Sequence, residues 1–108
     1  RCYHARMEFG RWYPLTAADA HAPPGPGVLQ VRVRTGLVEY PRGKSAMVHY
    51  QAADDCRAAA QALAAAHPDA DWLCRHLIDL ADPTAAPDIA ARLIRDFAAR
   101  FGRAPGAP

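Results

Sequence analysis

The apolar residues of this 108-residue chain keep two different periods, and that change restricts the fold more than any other feature. Leu29, Val31 and Val33 alternate with Gln30, Arg32 and Arg34, the period of a strand with one buried face. Ile89, Leu93, Phe97 and Phe101 instead recur every four residues, a single apolar stripe along a helix that Gly102 terminates. Strand and helix must cover each other's apolar surface, so the sequence predicts an α/β domain.

The intervening segments fill in the order. Ala22-Pro23-Pro24-Gly25-Pro26-Gly27 excludes regular structure, because Pro has no amide to donate and Gly resists ordering. Thr35-Gly36 predicts a tight turn, with Leu37 to Tyr40 pairing back on the first strand as a hairpin and Pro41-Arg42-Gly43 turning again. Ala46 to Tyr50 reads as a third strand, apolar enough to be central. Asp54 or Asp55 caps a helix that runs to about Ala66 and stops at His67-Pro68. Trp72 to Ile78 reads as another strand, with Leu73, Arg75 and Leu77 on one face and Trp72, Cys74, His76 and Ile78 on the other. The last helix starts near Thr84 and Pro87, since Pro is tolerated in a first turn. The expected architecture is a small, mainly antiparallel sheet flanked by helices, in the order hairpin, strand, helix, strand, helix.

Upstream, residues 1–22 read as a leader carrying the aromatic anchor Arg11-Trp12-Tyr13-Pro14-Leu15, with Thr16 capping a single helical turn. Arg1 to Arg6 reads as sequence ahead of a natural start at Met7. Residues 23–103 form the predicted domain, and residues 104–108 a loose tail.

Composition narrows the partners. The chain is 51% apolar, much of it alanine, which implies a thin core. Its net charge of +2 comes from 12 Arg and one Lys, and vanishes if the first six residues are set aside. Overall charge therefore does not argue for nucleic acid, but its distribution carries more information. Arg32, Arg34, Arg42 and Lys44 stand against Glu39 in residues 27–50, and Arg92, Arg95, Arg100 and Arg103 against Asp96 in residues 92–108. Residues 51–91 hold seven Asp against Arg57 and Arg75. The basic segments read either as one face for nucleic acid or an acidic protein, or as ordinary solvated surfaces. Cys2, Cys56 and Cys74 are odd in number and lack a disulfide framework spacing. With no membrane-length apolar run and no signal-peptide core, the expectation is a cytoplasmic protein without a membrane partner.

Several short segments resemble the GIY-YIG nuclease family over roughly residues 23–103. Gly27-Val28-Leu29 stands where the family has Gly-Ile-Tyr, Ala46-Met47-Val48-His49-Tyr50-Gln51 is similar to its second strand, and Asp54-Asp55-Cys56-Arg57 to the start of its helix. Leu93-Ile94-Arg95-Asp96-Phe97 followed by Phe101-Gly102 is similar to its last helix. The resemblance implies the element order above and argues against the family's activity. Its two tyrosine positions fall on Leu29 and His49, its helix arginine on Ala59, and its metal-holding glutamate on Ala90. Alanine cannot bind a metal and leucine cannot position a nucleophile, so cleavage would need an alternative site made from His49, Tyr50, Arg57 and Asp88.

Other constellations are weak. Gly43-Lys44-Ser45 lacks the first glycine of a phosphate-binding loop and precedes a strand, so it reads as a turn. Cys56, His67, Cys74 and His76 lack the tight pairing of zinc ligands, and no metal or cofactor is expected. The remaining expectation is a binding module. Nucleic acid would engage a basic hairpin face through Arg32, Arg34, Arg42, Lys44 and Arg57, with Tyr40, His49 and Tyr50 beside them. The alternatives are protein interaction or self-association through Trp12 and Tyr13, and a metal-dependent nuclease with the rebuilt site.

Overall fold

The computed structural model describes residues 8–106, so the expected start at Met7 lies outside the described residues. A four-stranded antiparallel sheet has the order β1-β6-β2-β5, from strands Tyr13–Pro14 (β1), Gly27–Val33 (β2), Met47–Ala53 (β5) and Trp72–His76 (β6). Val38–Tyr40 (β3) and Gly43–Ser45 (β4) form a separate two-stranded sheet. The helices are Ala18–His21 (α1), Cys56–Ala66 (α2) and Ala86–Phe101 (α3), with short 3₁₀ turns leading into α1 and α3. The predicted α/β class holds.

The register divides the sheet into two faces. Tyr13 opposes Cys74, Val31 opposes both Cys74 and His49, and Leu29 opposes His76 and Gln51, so these side chains share one face. There α1 and α2 pack, and Leu15, Ala18, Ala22, Cys56 and Ala60 complete a buried cluster with Tyr13, Leu29, Val31 and Cys74. Val28, Gln30 and Arg32 point to the other face, with Ala52, Tyr50, Leu73 and Arg75 opposite them. Here α3 lies over β5 and β2, closing a second cluster of Val28, Leu77, Ala86 and Ala90. The stripe of α3 reaches both clusters: Ile89 and Leu93 join the second and Phe97 the first.

The ends of the two long helices are satisfied by loops that the sequence marked as irregular. At the start of α2, the Asp55 carboxylate accepts from the Ala58 amide at 3.0 Å, as expected of an N-cap. The carbonyls of Gly25 and Pro23 accept from the amides of Cys56 and Arg57, each at 3.0 Å. The Pro-Gly loop thus supplies the partners that a helix N-terminus lacks. A Cβ at Gly27 would sit 2.9 Å from the Cys56 sulfur, so this close approach of α2 to β2 requires glycine. At the end of α3, Gly102 takes φ +93 and donates to the Ala98 carbonyl, while the Arg42 amide donates to the Phe101 carbonyl at 3.0 Å.

Four expectations are corrected. Leu37–Tyr40 does not pair back on β2, because β6 takes that edge along five residues. The segment instead folds into the β3–β4 hairpin, and Tyr40 buries its ring against Phe97 and Phe101 at centroid distances of 4.9 and 5.8 Å. The strand expected to be central, β5, lies at the sheet edge, and β2 and β6 occupy the interior. Residues 8–22 are part of the domain rather than a leader: β1 pairs with β6, Phe9 bridges Leu77, and Leu15, Ala18 and Ala22 are buried in the first cluster. Thr16 caps nothing, since the turn already begins at Leu15 and no side chain caps it. Of the expected loose tail, residues 104–106 are described, and the Tyr40 hydroxyl, which donates to the Met47 carbonyl at 2.5 Å, accepts from the Gly106 amide at 3.3 Å.

Candidate functional site

The chemistry-bearing residues that come together lie on the α3 face of the sheet, where β2 meets β6 and the segment leading into β1. Trp12 immediately precedes β1, and strand alternation from Tyr13 puts it on this face beside Arg75. The Arg75 guanidinium carbon stands 4.3 Å from the centroid of the Trp12 ring and 5.0 Å from that of Phe9. The Arg32 guanidinium lies 5.5 Å from the same indole. Gln30 faces Arg75 across the β2–β6 ladder, so Arg32, two residues on, is its diagonal neighbour, at about 7–8 Å between Cα atoms.

Internal acceptors hold both guanidiniums by one edge. Arg75 Nε donates to Gln30 Oε1 at 2.7 Å, and Arg32 Nε donates to the Val33 carbonyl at 3.0 Å. Gln30 is only 6% exposed, so Arg75 satisfies an amide that would otherwise be stranded in the sheet. Partial burial and the neighbouring Arg32 charge both push the Arg75 pKa below its ordinary value, while the nearby Tyr50 phenol acts in the opposite sense. Burial raises the Tyr50 pKa, and its ring meets Phe97 edge-on at 6.1 Å. Among the described residues the one ion pair joins Arg34 to Asp71, at 2.8 Å. Neither Arg32 nor Arg75 has a carboxylate partner there.

The basic residues expected to form a hairpin face do not converge. Arg32 is at the site, but Arg34 turns to Asp71 beyond the end of β2. Arg42 lies in the β3–β4 turn and donates through Nη2 to the Ala99 carbonyl at 2.6 Å, capping α3. Lys44 is exposed on β4, across from Glu39. Arg57 lies near the opposite end of β2 and ties α2 to the Pro-Gly loop, its Nε donating to the Ala22 carbonyl at 3.0 Å. Two of the five cations therefore hold helix ends or loops.

Nor does the alternative catalytic set assemble. His49 points to the α2 face, where Nε2 lies 2.9 Å from Gln51 Oε1, and Tyr50 points to the α3 face. Arg57 begins α2 and Asp88 is exposed in the first turn of α3, on opposite sides of the sheet. Among the described residues no three His, Cys, Asp or Glu side chains gather closely enough to hold a metal. Two of the four positions implied by the family resemblance are closed as well: Leu29 is fully buried in the first cluster and Ala90 is buried in the second.

Of the two aromatic anchors, Trp12 is half-buried at the site. Tyr13 is a core residue, its hydroxyl 3.3 Å from His76 Nδ1 and its ring stacked 5.2 Å from His21. An open depression of about 460 Å³ lies elsewhere, lined by Pro26, Ala53, Asp54, Pro83, Thr84 and Pro87 among others, with Asp54 its single ionisable group. Arg75, Gln30 and Phe9 were not among the residues that the sequence singled out. Arg75 left one trace there, a charged residue sharing a strand face with Leu73 and Leu77. Comparison with family models, with curated proteins and with solved structures returns no match.

Proposed function

We propose that this domain is a nucleic-acid-binding module, GIY-YIG-like in architecture and without that family's cleavage chemistry, which engages phosphate groups through Arg32 and Arg75. The carrying observation is the pair of guanidiniums on one indole with no carboxylate to neutralise them among the described residues. Like charges held side by side at a partly exposed surface favour an anionic partner, and phosphate suits the planar fork of arginine. The strand, helix, strand, helix order of β5, α2, β6 and α3 is the one expected after the hairpin, whereas β3 pairs with β4 in a separate sheet instead of returning to β2.

The test is binding of fluorescein-labelled single-stranded DNA and RNA across a salt series. Two phosphate contacts give a slope of about −1.4 in log K against log salt, and Arg32→Gln should reduce it by about 0.7. Arg34→Gln with Lys44→Gln, which alters cations outside the site, should change affinity far less. Salt-independent binding, or a larger loss from the Arg34 and Lys44 pair, would reject the site.

A further inference from the structure

The two guanidiniums also differ from ordinary backbone-tracking cations in what they leave free. Each has Nε engaged inside the protein, Arg75 by Gln30 and Arg32 by the Val33 carbonyl. Among the described residues neither fork's terminal amino groups have a hydrogen-bond partner, which leaves them for a ligand. Both guanidiniums also lie against rings, Arg75 within 5.0 Å of the Phe9 and Trp12 centroids and Arg32 within 5.5 Å of that of Trp12. The β2–β6 register makes Arg32 and Arg75 diagonal neighbours, and both guanidinium carbons lie within 5.5 Å of the centroid of one indole.

Two adjacent forks ask for more acceptors and more charge than an internal phosphodiester offers. A diester has two non-bridging oxygens and a single negative charge. A terminal phosphomonoester presents three acceptor oxygens and about −1.5 to −2 charges at pH 7. It neutralises both guanidiniums at once and leaves neither facing an uncompensated neighbour. The partly exposed Trp12 ring supplies apolar surface for the nucleoside attached to that phosphate.

We infer that the Arg32–Arg75 pair recognises a terminal phosphomonoester of a nucleic-acid strand, so that the domain binds strand ends in preference to internal phosphodiesters. This deepens the nucleic-acid reading and rests on it. The source can be a 5′-phosphate or a 3′-phosphate, since the forks see only the phosphate group.

The experiment compares one single-stranded ten-nucleotide DNA in three forms: 5′-phosphorylated, 3′-phosphorylated and with hydroxyls at both ends. Affinities are read by competition against a labelled strand at pH 7.5. One phosphorylated form should bind about tenfold or more tightly than the hydroxyl form, given the extra charge and charge-assisted hydrogen bonds. The preference should shrink below about pH 6, where the monoester dianion takes up one proton and becomes a monoanion like the diester, and should collapse in Arg32→Gln. That variant removes a hydrogen bond to its own neighbour's carbonyl and a 5.5 Å contact with the Trp12 ring at a partly exposed position, so it should still fold; Arg75→Gln provides the second arm. If all three forms bind within about twofold and Arg32→Gln weakens all equally, the end preference is wrong and the phosphate-binding reading survives. If a preference persists unchanged in both variants, the site is wrong. If no form binds, both readings fail.

Discussion

The hydrogen bond between Arg75 and Gln30 allows a quantitative test of how the site is built into the sheet. Replacing Arg75 by Met keeps the aliphatic stem and removes the guanidinium. The loss includes one charged hydrogen bond, worth about 1.5–3 kcal/mol, and two cation–π contacts with Trp12 and Phe9, worth about 0.5–1 kcal/mol each. Relief of the repulsion from Arg32 offsets part of this. The expected net cost is about 2–3 kcal/mol, most of it the stranding of the Gln30 oxygen, which has no other side-chain partner among the described residues. At about 4–8 °C per kcal/mol for a domain near this size, Tm should fall by roughly 10–20 °C. Gln30→Leu removes the acceptor instead and should cost less, since the Arg75 head still reaches water. The double variant should recover at least about 1 kcal/mol relative to the summed single losses, because neither polar group is then left alone. Urea unfolding of the four proteins at one pH gives the cycle. Coupling below about 0.5 kcal/mol, the scatter expected of independent sites, would refute the claim that Gln30 is held by Arg75.

Two further outcomes test the scaffold around the site. Gly102→Ala should cost at least about 1–2 kcal/mol, since residue 102 is left-handed at φ +93 and a Cβ would stand 2.8 Å from that of Pro41; thermal melts unchanged within about 2 °C, equivalent to less than about half a kcal/mol, would contradict the docking of the hairpin on α3. Burial pushes the Cys74 thiol up to about 11 from 9.0, and Tyr13 moves upward as well, so the folded state favours their neutral forms. Stability from Cys74 is therefore complete below pH 9 and declines as pH rises through 11, at up to about 1.4 kcal/mol per pH unit. Urea midpoints should show that decline, and Cys74→Ala should flatten it; an identical slope in the variant would assign it elsewhere.

The local elements were legible because their causes are local. Asp55 as a cap, the stop at His67-Pro68, the four-residue stripe of α3 and its end at Gly102 all follow from neighbouring residues, and the structure keeps each of them. The alternation in Trp72–Ile78 also assigned the faces of β6 correctly, with Arg75 opposite in sense to Cys74. Pairing was less legible. Thr35-Gly36 looks like a hairpin turn, but whether Leu37–Tyr40 returns to β2 depends on whether another strand already holds that edge. That strand, β6, arrives some forty residues later in the chain. The same competition moved β5 to the edge and drew residues 8–22 into the domain.

The site shows the same division. Sequence marked Arg32 and Trp12 separately, one as a strand cation and the other as an anchor on a supposed leader. Their meeting with Arg75 and Gln30 depends on β1 and β2 lying on either side of β6, a non-local arrangement that no spacing encodes. Local periodicity and capping by themselves determined an α/β chain with two long helices and the faces of its strands. Only the tertiary structure decided which strands are neighbours, and with them which cations cap helices and which share an indole. Side-chain direction follows from the residue's own backbone, whereas the identity of the group it meets is set by competition among distant segments for the same edge and the same buried surface.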